Sequence, residues 1–242
     1  MKMLRQKFPA VGVAAFLATS AVVQAAPLYD NTSTDTGYSL NFTNGWTLGN
    51  QIVFGGGIPS ALVTNFSFEI YSTLATFAGP NVQMQVYLYS NNGTPFNGYS
   101  TPFTTYYDSG LFTLYTPQEY ATLFSLPASD AVKLIFDLSS SPVPLGTDFT
   151  LGIRVTGLAS TDTVGLELFG PAGYGLNYGD YWANNNGGGW VLLTNAVPTS
   201  FGAEFTGTVT PEPSVLYLGA VGATLLTGLT WLRRRQDASQ QN

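Results

Sequence analysis

The side chains available for chemistry in this chain are carboxylates, hydroxyls and aromatic rings, because its 242 residues include neither histidine nor cysteine. Without imidazole or thiolate, Ser–His–Asp and Cys–His catalysis cannot be assembled, and the usual zinc sites have no ligands. Glycosidic-bond cleavage by two carboxylates is the common enzyme chemistry still open. Its candidates are Asp108, Glu167, Asp180 and Glu204, which form no recognisable motif. No catalytic residue, metal ligand or cofactor is therefore assigned.

The aromatic residues are more distinctive. Between Gly170 and Trp190 the sequence interleaves Tyr174, Tyr178, Tyr181, Trp182 and Trp190 with Asn177, Asp180, Asn184, Asn185 and Asn186. Sugar rings present apolar C–H faces and a rim of hydroxyls, so flat aromatics beside amide side chains suit them. Read as a Gly-rich loop, this stretch offers Tyr178, Tyr181 and Trp182 as glycan-binding residues. The alternative is that Trp182 and Trp190 plug one end of a core, and the aromatic-rich composition favours that reading. Oxygen ligands for calcium are a further possibility at Asp30, Asn31, Asp35, Asn50 and Glu204, but no compact calcium motif is present.

The elements that must position these groups are strands. Val82, Met84, Val86 and Leu88 alternate with Gln83, Gln85, Tyr87 and Tyr89, the period-two pattern of a half-buried strand. Phe66 to Ile70, Val132 to Leu138, Phe149 to Val155 and Phe201 to Phe205 repeat it. Weaker strands are expected at Tyr38–Thr43, Gln51–Phe54, Leu111–Tyr115, Val164–Phe169 and Trp190–Thr194. About ten strands separated by Gly, Pro and Asn turns predict an all-β, two-sheet antiparallel sandwich, jelly-roll-like, over residues 26–210. Closure into a barrel is the alternative. Thr116-Pro117-Gln118-Glu119 has the form of a capping box with proline at the first helical position, which predicts one short helix through Phe124.

Residues 26–210 carry twelve acidic side chains against Lys133 and Arg154, a formal charge of −10, which the whole-chain value of −6 conceals. Such a surface repels nucleic acid and anionic membranes, so nucleic-acid binding is excluded.

Both ends read as targeting segments. Lys2, Arg5 and Lys7 precede an apolar run from Ala10 to Val23, and Val23-Gln24-Ala25 places small residues for cleavage after Ala25. Residues 1–25 are thus expected to be a signal peptide handled by the Sec translocon. At the other end, Pro211-Glu212-Pro213 precedes an uncharged apolar run from Val215 to Leu232 and then Arg233, Arg234 and Arg235. As a helix that run spans roughly 27 Å, close to the hydrocarbon thickness of a bilayer, and it begins after the prolines because they cannot lie inside it. The arginines form a cytoplasmic stop, leaving 236–242 as a polar cytoplasmic tail.

The order of these three parts over 211–235 resembles the PEP-CTERM sorting signal of bacteria that make exopolysaccharide. That resemblance implies a membrane protease partner, exosortase, that recognises Pro-Glu-Pro and severs the chain from its anchor. It also implies export through the inner membrane, transient membrane anchoring, and a final location in the cell envelope or outside the cell. The ectodomain resembles other PEP-CTERM passengers only loosely, in its lack of cysteine and its abundance of Asn, Ser, Thr and Gly. The function expected is that of a non-enzymatic envelope or matrix protein associated with exopolysaccharide. The alternative is a carbohydrate-active enzyme using paired carboxylates.

Overall fold

The computed structural model describes residues 25–72, 82–124, 131–160, 162–194 and 200–210. Residues 1–24 of the expected signal peptide, the Pro-Glu-Pro tail with its apolar span and arginines, and residues 236–242 lie outside the described residues. The described strands are β1 (Ala26–Asp30), β2 (Asp35–Asn41), β3 (Thr47–Val53), β4 (Ser60–Ser72), β5 (Gln83–Ser90), β6 (Thr105–Asp108) and β7 (Phe112–Thr113). A helix, α1 (Pro117–Phe124), follows, and then β8 (Ala131–Asp137), β9 (Val143–Gly146), β10 (Asp148–Thr156) and β11 (Val164–Phe169). The last four are β12 (Leu176–Asn177), β13 (Asp180–Asn184), β14 (Trp190–Thr194) and β15 (Ala203–Val209).

These strands build two antiparallel sheets packed as a sandwich. The first runs β1-β15-β4-β11-β2, with β8 and β9 along the other side of β4. The second runs β14-β13-β3-β10-β5-β6, with β12 beside β3 and β7 beside β5. The expected alternation places the interior. Phe66, Phe68 and Ile70 of β4, Met84, Val86 and Leu88 of β5, and Phe149, Leu151, Ile153 and Val155 of β10 are all buried.

Aromatic rings join the two layers. Phe205 of the first sheet meets Phe149 of the second edge-on at 5.0 Å, and Phe66 stacks on Phe205 at 5.4 Å and on Phe136 at 4.6 Å. Burying each such ring contributes about 1.5–3 kcal/mol, and a favourable ring pair adds about 0.5–1.5 kcal/mol.

The capping box forms as expected. Glu119 N donates to Thr116 Oγ1 at 3.0 Å, and Thr116 N donates to Glu119 Oε2 at 2.7 Å, which satisfies two otherwise orphaned donors at the start of α1.

Four expectations need correction. Residues 170–190 are not one Gly-rich loop, because β12 and β13 both pair with β3 and β13 forms a hairpin with β14. Consecutive Trp182 and Ala183 are both fully buried, so β13 is covered on both faces and has no period-two pattern to read. For the same reason β3 starts at Thr47 rather than Gln51, since Thr47 to Ile52 are all buried. The strand expected at Leu111–Tyr115 shrinks to the two residues of β7, and β1, β6 and β9 were not expected at all.

Candidate functional site

The structure separates the three residues expected to bind glycan. Trp182 is fully buried, and its position in β13 faces Gly49 in the neighbouring strand. Its indole N–H has no hydrogen-bond partner among the described residues. Stacking of Trp182 on a sugar is closed by this burial. Tyr181 points the other way and packs against the hydrophobic core. Tyr178 alone is exposed, at 43 %. Partial burial pushes its phenol up, with Asp148 and Tyr99 adding to the effect, which places Tyr178 near both.

Asp148 is the anchor of a polar network on the outer face of the second sheet. Gln51 Nε2 donates to both its carboxylate oxygens, at 2.9 and 2.8 Å, and Asn91 Nδ2 donates to the first of them. Thr150, fully buried, donates its hydroxyl to Asn91 Oδ1 at 2.7 Å. Burial pushes the Asp148 carboxyl up, and the amide donors from Asn91 and Gln51 oppose that. The network fixes Asn91, the first residue of the long β5–β6 connection.

That connection, residues 91–104, is held by its own hydrogen bonds. Ser90 Oγ and Thr104 N both donate to Asn92 Oδ1, and Gly93 N donates to Thr101 O at 2.9 Å. At its tip, Phe96 and Tyr99 exchange backbone hydrogen bonds of 2.8 and 3.0 Å around Asn97-Gly98. Both central residues have positive φ, 51° and 86°, as a two-residue primed hairpin turn requires. Gly93 is obligatory here, since an added β-carbon would stand 3.0 Å from Phe103 Cβ and from the Thr101 carbonyl oxygen.

Facing this connection is the tip of the β13–β14 hairpin. Arg154 Nε donates to Gly45 O at 3.1 Å, and its Nη2 donates to Asn186 Oδ1 at 3.0 Å, tying the tip to the sheet. Trp190 meets Tyr89 edge-on at 5.5 Å, and Tyr89 stacks on Tyr87 at 5.2 Å. Burial pushes the Tyr89 phenol up, with Tyr87 and Asp108 reinforcing it, so it remains a neutral donor over the physiological range. Between the two walls lies a groove of about 400 Å³ whose floor and sides include Phe96, Phe103 and Trp190, with Thr94 and Thr101 supplying hydroxyls. Phe103 is the most exposed large apolar side chain among the described residues, at 71 %.

Trp190 and Tyr178 fell within the aromatic stretch singled out from sequence. The opposite wall did not, because a run of Thr, Pro, Asn and Gly reads as a plain connection. Its one legible signal is Asn97-Gly98 set between Phe96 and Tyr99.

The four candidate carboxylates are dispersed. Glu167 and Glu204 lie on the outer face of the first sheet, whereas Asp108 and Asp180 lie in β6 and β13 of the second. Glu204 is paired with Lys133 at 2.9 Å, and Asp108 accepts from Gln85 Nε2 at 2.7 Å. None of them lines the aromatic groove. Among the described residues no three acidic side chains converge as metal ligands. Of the oxygen donors considered for calcium, Asn31 and Asn50 are buried, Asp30 and Asp35 each close a local turn, and Glu204 is held by Lys133.

A larger apolar recess, about 520 Å³, runs along β8 beside Phe112 and Tyr120.

No protein-family model, curated protein or solved structure matches this chain.

Proposed function

We propose that the protein is a non-enzymatic component of the cell envelope or extracellular matrix, exported by its N-terminal signal and released from the membrane by an exosortase. The observation that carries this reading is the order Pro211-Glu212-Pro213, apolar run, Arg233-Arg234-Arg235 at the end of the chain. A Pro-Glu-Pro segment is extended and accessible to a protease, the apolar run holds it at the membrane, and the arginines keep the far end inside. The jelly-roll-like sandwich is then the passenger, and its association is with exopolysaccharide.

The described part of the chain supports this reading in two ways. The four candidate carboxylates are divided between two sheets, and two of them are engaged locally, Glu204 by Lys133 and Asp108 by Gln85, which suits a binding or structural module more than a paired-carboxylate glycosidase. The absence of histidine and cysteine removes most other catalytic machinery.

Intact-mass measurement of the exported protein tests the proposal. Cleavage at or just beyond Pro211-Glu212-Pro213 should remove Val215–Leu232 in a host that has the exosortase. Recovery of the wild-type chain with its full C-terminus from such a host would overturn it.

A further inference from the structure

We infer that the groove between the β5–β6 connection and the β13–β14 hairpin is the polysaccharide-binding site, and that it takes a neutral rather than an anionic glycan strand. This rests on the exopolysaccharide association proposed above and assigns it to residues.

Three features of the groove converge on this ligand. Its walls combine aromatic side chains, Phe96, Phe103 and Trp190, with the Thr94 hydroxyl and the acceptor side of the Thr101 hydroxyl, whose proton goes to Thr94 O at 3.0 Å, suiting the alternating C–H faces and hydroxyl rims of a sugar chain. Its shape exists before any ligand arrives. The Asn97-Gly98 turn, the Asn92 clamp and the Arg154–Asn186 bond fix both walls, so little ordering entropy is lost on binding. Its electrostatics select among glycans, because no charged residue lines it and the surrounding residues 26–210 carry −10. An anionic strand entering here would meet that field without a cation to receive it. A proline-rich peptide also docks in aromatic grooves and its free carbonyls would accept from a hydroxyl there, so the test below sets it against the sugars.

Phe103 is the residue to change, since at 71 % exposure it supports little of the fold. The full chain, reconstituted in nanodiscs, would be titrated with cellopentaose, mannopentaose and, as the acidic counterpart, pentagalacturonate. Binding would be read by calorimetry and by tryptophan fluorescence, to which Trp190 contributes alongside the chain's three other tryptophans. The expected result is binding of at least one neutral oligosaccharide, weakened at least tenfold by Phe103→Ala, retained by Phe103→Tyr, with thermal midpoints unchanged. Neutral-sugar binding that both variants keep would overturn the groove assignment while leaving the polysaccharide association intact. Equal or tighter binding of pentagalacturonate would overturn the neutral-glycan class. Preferential binding of a polyproline peptide, or self-association abolished by Phe103→Ala, would give the groove a different occupant and overturn the inference. Failure of the wild-type chain to bind any of these and its own host's exopolysaccharide would overturn the association itself. Intact-mass analysis would still report separately on sorting.

Discussion

Trp182 and Gly49 occupy facing positions in the β13–β3 ladder, and a β-carbon on Gly49 would stand 3.2 Å from Trp182 Cβ and 2.8 Å from the Thr150 methyl. The outer face of the second sheet is therefore a packed layer, with Trp182 as its largest buried side chain and glycine as the space that admits it.

Trp182→Ala is accordingly expected to cost about 3–5 kcal/mol of folding stability, the range for removing a large buried aromatic. Chemical denaturation followed by tyrosine fluorescence would measure it. A thermal midpoint equal to wild type would mean that the indole is not packed.

Gly49→Ala should destabilise by about 1–3 kcal/mol through overpacking, since the Thr150 methyl and Trp182 are held by their own strands. Gly45→Ala serves as a comparison of a different kind: its space is open, and its cost comes only from a φ of 80°. If Gly49→Ala melts with wild type, the layer has slack that the short contact distances exclude.

Acid should stabilise this domain over a limited window. Burial pushes the Glu69 carboxyl up, opposed by Lys133 and reinforced by Asp35, and burial pushes Glu167 up with Asp35 and Glu69 adding to it. A carboxyl whose folded pKa is raised binds its proton more tightly in the native state. Stability therefore falls as pH rises from the unfolded value, about 4.3 for Glu, through the raised native value, and is flat above it. Urea midpoints taken from pH 7.5 down to about pH 4.5 should rise, and Glu69→Gln with Glu167→Gln should flatten the slope. A profile that falls steadily on acidification would contradict the sign.

Thr116→Ala removes the side chain that accepts from Glu119 N and should cost about 1 kcal/mol. Glu119→Gln, which keeps an oxygen able to accept from Thr116 N, should cost less. Thermal melts of the two variants would order them; equal losses would show that the reciprocal bond is not what starts α1.

Replacing Arg233, Arg234 and Arg235 together with Gln removes charges worth about 1 kcal/mol each near an anionic leaflet. Uncleaved precursor should accumulate, as seen by immunoblot of membrane and medium fractions. Unchanged processing would show that Pro-Glu-Pro and the apolar run are sufficient for recognition.

What could be read from sequence followed the physics of one-sided burial. β5 and β15 announced themselves because one face of each is packed and the alternation survives, and α1 did so through Thr116 and Glu119. β3 and β13 were obscured because their outer faces are covered too: Thr47, Gln51 and Trp182 are polar or oversized residues buried where solvent was expected. β9 was hidden by Pro144, which reads as a turn but sits in a short strand that, among the described residues, pairs with β4 alone. Of the aromatic stretch, Trp182 is buried, Tyr181 packs against the core and Tyr178 is exposed. Whether a ring in a strand faces core, cover or groove depends on the neighbouring strands, and Gly49, Phe96 and Phe103 are distant from Trp182 in sequence.

The placement of β15 sets an order of events. It lies between β1 and β4, with Ala26 paired to Gly207 roughly 180 residues further along the chain, so the first sheet has an open seam until Ala203–Val209 arrive. A polypeptide delivered N-terminus first, from a ribosome or through a narrow pore, cannot zip that seam early. β1 waits for the strand it pairs with along most of its length, and the contact of Phe205 with Phe149, one of the ring pairs that join the layers, is among the last to form. Among the described strands, the first sheet is thus completed by the last one to be delivered, while the second sheet needs nothing beyond Thr194.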